Sequence, residues 1–147
     1  MAKKVSTGFI VVSKDNKILI GKGCNRSSNC WTVFKGGVEE GESWIETAIR
    51  ELKEESGIDI NSSVVLQKSI STVPVHSYSM RKKDVYLYLL KDDEGILDDF
   101  DFCCDSRVEG DGPPEILAYK WVDIDELNDY LFFSQHKIKE DLCQIMK

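Results

Sequence analysis

Gly36-Gly37-Val38-Glu39-Glu40-Gly41-Glu42-Ser43-Trp44-Ile45-Glu46-Thr47-Ala48-Ile49-Arg50-Glu51-Leu52-Lys53-Glu54-Glu55-Ser56-Gly57-Ile58 is a glycine-rich turn running into a strongly helical segment. Ser43 followed three residues later by Glu46 is a capping box, in which each residue satisfies an amide that a helix start leaves orphaned. Gly57 suits the left-handed residue just past a helix end. These signals predict a helix over residues 44–55. Within it Ile45, Ala48, Ile49 and Leu52 keep the i, i+3, i+4, i+7 spacing of a stripe buried against a core. Beside the stripe, Glu51, Glu54 and Glu55 stand at i, i+3 and i+4, so three carboxylates converge on one patch of the cylinder.

Such a patch repels itself. Unpaired, it pushes carboxyl pKa values upward, whereas a hard divalent cation with oxygen ligands removes the repulsion and keeps all three ionised. Arg50, four residues before Glu54, is placed to orient that carboxylate while leaving its metal-facing oxygen free. A solvated Glu/Lys face would show the same local pattern, so the helix alone does not choose between the two.

The spacing of the whole segment does. Gly36, five residues, Glu42, seven residues, Arg50-Glu51-Leu52, one residue, Glu54-Glu55, one residue, Gly57-Ile58 resembles the signature of the Nudix hydrolases at every defined position. A chance match to its seven fixed and two apolar positions is on the order of 10⁻⁹ per starting point at average residue usage. The resemblance implies metal-dependent cleavage of a diphosphate linkage, with Glu51, Glu54 and Glu55 as principal metal ligands, joined by the Gly36 carbonyl. Glu42 and Arg50 would support them. Mg²⁺, with Mn²⁺ as a substitute, suits hard oxygen ligands. In the family the approach to the box often reads Pro-Lys-Gly; here Phe34 replaces the proline and Lys35 is kept, a point charge suited to a phosphate.

A second local match runs over Glu115-Ile116-Leu117-Ala118-Tyr119-Lys120-Trp121-Val122, followed by Asp125-Glu126-Leu127. It resembles the late strand of Nudix enzymes that cleave dinucleoside polyphosphates and RNA 5′ ends, where a glutamate six residues before the tryptophan reaches the metal cluster. Glu115 has that spacing. The resemblance leaves the general base open among Glu54, Glu55 and Glu115.

The remainder of the chain bounds these readings. With 147 residues, 41% hydrophobic and 31% charged, residues 1–147 read as a single globular domain with one core. No apolar run approaches a membrane span, and the opening residues do not resemble a signal peptide, so the expectation is a cytoplasmic protein without membrane association. Five cysteines, with no CxxC pair, read as reduced thiols. The formal net charge of −7 argues against sequence-independent nucleic-acid binding. It allows a small nucleotide substrate, because bound cations invert the local field.

In chain order, residues 5–13 and 17–21 read as a hairpin about Lys14-Asp15-Asn16, residues 24–29 as a polar loop, and residues 31–34 as a short strand. Residues 63–75 and 84–90 read as longer strands about a polar turn at 80–83. Residues 92–112 carry nine acidic side chains against the single Arg107 and read as a functional lid or mobile segment. A strand over 115–122 and helices over 124–130 and 135–145 complete the chain. The pattern is α/β, a sandwich with a central mixed sheet. The Nudix resemblance implies the same α/β/α arrangement, with the box helix on one face and the C-terminal helix on the other. Trp31, His76 and Tyr78 are candidate base-stacking groups. The Nudix resemblance gives opposing hints: Pro74 lies where ADP-ribose-cleaving members often carry a proline, and Tyr78 where dinucleoside-polyphosphate-cleaving members often carry a tyrosine. An RNA 5′-end or nucleotide-pool pyrophosphohydrolase, or a non-catalytic nucleotide sensor, are the other readings.

Overall fold

The computed structural model describes residues 3–23, 30–106 and 114–146; the loop read over 24–29 lies outside the described residues. In chain order the elements are β1 (Lys4–Val12), β2 (Lys17–Gly23), β3 (Trp31–Thr32), β4 (Phe34–Gly37), α1 (Trp44–Ser56), a short α2 (Val64–Gln67), β5 (His76–Ser79), β6 (Lys83–Lys91), β7 (Ile116–Asp123) and α3 (Ile138–Ile145).

The seven strands form one mixed sheet. β1 pairs in parallel with β6 along its whole length, from Lys4 opposite Lys83 to Val12 opposite Lys91. Its other edge forks. Val11 and Val12 pair with Leu19 and Ile18 of β2, so the expected hairpin closes only at its turn. Residues 6–9 pair instead with β4, while β3 pairs with Lys22 and Gly21 of β2. The stretch expected as one strand is therefore two: it fills the fork between β1 and β2 and changes partner at Val33. β7 covers the far edge of β2 and β5 the far edge of β6.

Strand alternation sends Phe9, Val11, Leu19 and Phe34 to one face, where Ala48 and Leu52 of α1 meet them. Ile10, Val12, Ile18 and Ile20 go to the other face, against Ile138 and Leu142 of α3. This is the three-layer arrangement expected. Each fully buried aliphatic side chain contributes roughly 1.5–3 kcal/mol. The capping box forms as read: Glu46 N donates to Ser43 Oγ and Ser43 N to Glu46 Oε1, and Gly57 ends the helix at φ 83°.

Three expectations need correction. Residues 63–75 are not a long strand. Ser63 Oγ accepts from Leu66 N and starts α2, local capping that overrides the β-branched Val64 and Val65, both of which are exposed. The chain then meets β6 at Ser69, Ile70, Ser71 and Val75, and regular pairing waits until His76. The helix read over 124–130 is a 3₁₀ turn, Ile124–Asp129, and the C-terminal helix starts at Ile138 after a separate 3₁₀ turn, Phe133–Gln135. The described part of the acidic segment is packed. Asp92, 1% exposed, accepts from the amides of Ile96 and Leu97, Leu97 is fully buried, and Phe100 and Phe102 pack on the core. Residues 107–113 lie outside the described residues.

Candidate active site

The carboxylates of α1 are arranged by what stands opposite them. Gly36 faces Glu51 so closely that a Cβ there would overlap the Glu51 carboxyl group. The Lys35 amide donates to Glu55 Oε1 at 2.9 Å, so β4 and α1 are joined through two of the candidate site residues. Arg50 collects the rest. Its Nε and Nη2 hold the two oxygens of Glu42 at 2.7 and 3.0 Å, Nη2 donates to the Gly37 carbonyl, and Nη1 reaches Glu51 at 2.9 Å. Glu42 is fixed in turn by the Thr47 hydroxyl and the Glu39 amide. The Arg50 contacts are the main reason Glu42 is held down at about 2.

Glu54 departs from expectation. Arg50 Nη1 stands 3.3 Å from both of its oxygens, so neither is free of the guanidinium. Among the described residues no three acidic, histidine or cysteine side chains form a ready metal-binding group. The i, i+3, i+4 spacing puts the carboxylates on neighbouring parts of the helix, but Glu51 and Glu54 turn to Arg50 while Glu55 turns beneath β4.

Burial and mutual repulsion nevertheless act on this group. Burial, then the neighbouring Glu51, pushes the Glu55 carboxyl up to about 8. Glu51 is raised for the same reason, with Glu54 as the repelling neighbour. The negative charge of Glu115, sixty positions downstream of Glu55, adds the least of the causes to both shifts. A strap ties it to α1. Asp105 N and Ser106 N donate to the Glu54 carbonyl, and Glu115 N donates to the Ser106 carbonyl. Cys103 N and the Tyr119 hydroxyl satisfy the carbonyls of Ser56 and Glu55, closing the end of α1. The donors are all oxygen, negative charge is in excess, and Gly36 leaves room where a side chain would block Glu51. This set fits a hard divalent cation.

On the other side of β4, Lys35 opens onto a pocket of about 440 Å³ that it lines with Thr32, Tyr78, Lys83 and Phe133. Burial, with Lys83 next, pulls the Lys35 ammonium down to about 8. Tyr78 is half-buried and Phe133 is 88% exposed. Trp31 stands apart from the pocket: it is edge-on to Tyr130 and packed on the α3 side of the sheet. His76 is buried with Nδ1 2.6 Å from Asp141, and with Pro74 it lines a different cavity. Lys83, Phe133 and Gln135, which also line this pocket, were not singled out in the sequence. The basic run Arg81-Lys82-Lys83 in an acidic chain was an available signal for the first; the other two gave none.

Comparison with known proteins identifies the family. The NUDIX domain family model matches residues 2–142. An RNA pyrophosphohydrolase of Pelagibacter ubique is 28% identical over 90% of this chain and 85% of its own. The asymmetrical bis(5′-nucleosyl)-tetraphosphatase of Rattus norvegicus is 33% identical over 73% of this chain and 65% of its own. Among solved structures, a C. elegans Ap4A hydrolase binary complex superposes with TM-score 0.67 at 16% identity, covering 96% of this chain and 97% of that one. The NUDIX domain of Shewanella oneidensis NrtR, complexed with ADP ribose, gives 0.71 at 12% identity over 100% and 90%; both show the shared fold. The chain belongs to the NUDIX domain family. It is a pyrophosphohydrolase, of a family that generally uses divalent metal ions. No helix among the described residues is long and apolar enough to cross a membrane.

Proposed function

We propose that this chain, as one Nudix domain over residues 1–147, hydrolyses the diphosphate linkage of a nucleoside diphosphate joined to a second moiety, with dinucleoside polyphosphates and ADP-ribose the leading substrates. The observation that carries the reading is the continuity of two sites through Lys35. Its amide binds the buried Glu55 of the carboxylate group, and its side chain lines the pocket with Tyr78 and Phe133.

Glu51, Glu54, Glu55, Glu115 and the Gly36 carbonyl would hold Mg²⁺, or Mn²⁺ in its place. The bound ion supplies Lewis-acid stabilisation of phosphoryl oxygens and a lowered pKa for a water. Arg50 keeps Glu51 and Glu54 oriented through its anchor on Glu42. Lys35 and Lys83 face the polyphosphate. Tyr78 and Phe133 offer aromatic surface to a base, for which a pocket of this size suffices. The general base is Glu54, Glu55 or Glu115. The substrate is a small nucleotide and the compartment the cytoplasm.

A second reading, removal of pyrophosphate from RNA 5′ ends, is favoured by the long-coverage similarity to an RNA pyrophosphohydrolase; the net charge of −7 weighs against it. The deciding experiment is a panel of diadenosine tetraphosphate, ADP-ribose and 5′-triphosphorylated RNA with Mg²⁺, products separated by chromatography. Cleavage of either small substrate to a nucleoside monophosphate and a second phosphorylated product is expected. Preference for the RNA selects the second reading, and tight binding without turnover would leave a nucleotide sensor.

A further inference from the structure

Gln135 is 1% exposed, yet it carries no charge and belongs to no strand or α-helix. A buried amide persists only when its donors and acceptor are met. Here they are met by three partners from three places. Its Oε1 accepts from Val33 N at 3.2 Å, and its Nε2 donates to Thr32 Oγ1 at 2.8 Å and to the Tyr78 hydroxyl at 3.2 Å.

Each partner matters for a different reason. Val33 is where the chain changes from pairing with β2 to pairing with β1, so its amide is left out of both ladders and needs a donor's partner from elsewhere. The two residues after the switch, Phe34 and Lys35, lead directly to Gly36. Thr32 and Tyr78 line the pocket. Gln135 itself closes the 3₁₀ turn whose first residue is the exposed Phe133. The turn is further tied to β3, with Leu131 bridging Trp31 and Phe132 N donating to the Trp31 carbonyl.

We propose that Gln135 is a positioning residue that sets the pocket walls, Phe133 and Tyr78, in register with the strand delivering Lys35, and so governs how substrate is held. This rests on reading the pocket as the nucleotide site. It touches neither the carboxylates nor Arg50, so its loss acts on binding more than on turnover.

The test combines kinetics on diadenosine tetraphosphate with Mg²⁺ and amide hydrogen exchange over residues 31–37. Gln135→Leu, similar in volume, is expected to raise KM about 10-fold, the scale of one or two lost hydrogen bonds, with kcat changed less than about 3-fold. It should also speed exchange over residues 31–37 while α1 stays protected. Tyr78→Phe removes one partner without disturbing the buried amide, and should raise KM by a smaller factor that does not multiply with that of Gln135→Leu in the double variant. If Gln135→Leu does not fold, Tyr78→Phe with Thr32→Val carries the same test. An equal fall in kcat, or unchanged KM and exchange, overturns the proposal. If the wild-type protein cleaves and binds no nucleotide, the proposed function fails, and the exchange result alone still decides whether Gln135 holds the strand.

Discussion

The carboxylate group and the pocket beside it share Lys35 but are built in opposite ways. Gly36, Glu42, Arg50, Glu51, Glu54 and Glu55 come from one continuous stretch, held by a helix and a turn. The pocket takes Thr32 from β3, Tyr78 from β5, Lys83 from β6 and Phe133 from a 3₁₀ turn. Local construction fixes a constellation by helical spacing, and it tolerates little change. Construction from four remote segments depends on every connection between them, and each wall can vary without disturbing the others. On the proposed function, chemistry would reside in the first region and selectivity in the second.

The comparison breaks most easily at the carboxylates. Glu54→Gln preserves shape and should lower kcat at least ~10²-fold, with an unchanged circular dichroism spectrum, as loss of charge stabilisation requires. Near-wild-type turnover would remove the residue from the mechanism. Glu115→Gln tests whether the strap extends this region beyond the continuous stretch. A kcat reduction of about 10-fold or more, with little change in KM, is expected from an interaction made mainly in the transition state, whereas a small equal effect on both would make Glu115 a surface carboxylate.

Phe133→Ala probes the other region. Since Phe133 is 88% exposed, the melting temperature should hold, while a lost stacking contact of roughly 1–3 kcal/mol raises KM about 10-fold. A parallel loss in kcat would contradict the division of labour.

A separate effect is on stability. Burial, then the neighbouring Glu51, pushes the Glu55 carboxyl up to about 8 from an ordinary 4.5. Its folded-state value is raised, so the fold holds an extra proton between the two. Stability is then fully present below about 4.5 and declines as pH rises towards 8. Thermal melts from pH 5 to 8 in EDTA should show that decline, and Mg²⁺, which favours the ionised carboxylate, should flatten it. A slope unaffected by Mg²⁺ would separate Glu55 from the metal.

The same contrast explains what the sequence could show. The capping box, the left-handed Gly57 and the carboxylate spacing are local signals, and local geometry followed them. Glu115 was singled out only through the family resemblance of its strand, where a tryptophan follows six residues on. The polar contacts of Arg50 with both oxygens of Glu54 were not legible, because side-chain direction on a helix depends on what packs opposite. Residues 63–75 misled because β-branched Val64 and Val65 favour strands only when a neighbour covers them, and both remain exposed. Phe133 and Gln135 were illegible for a different reason: the pocket they line joins segments distant in the chain, and the hydrogen bonds of Gln135 cross the same distance.

The parallel pairing of β1 with β6 constrains the order of assembly. Lys4 must find Lys83, so the central ladder costs the closure of a long loop and is a slow, late event. α1 needs only its own cap and stripe. During synthesis α1 can therefore form within the nascent chain before the complete sheet that will bury it exists, and until β6 has emerged one edge of the long apolar strand β1 stays unpaired and open to aggregation.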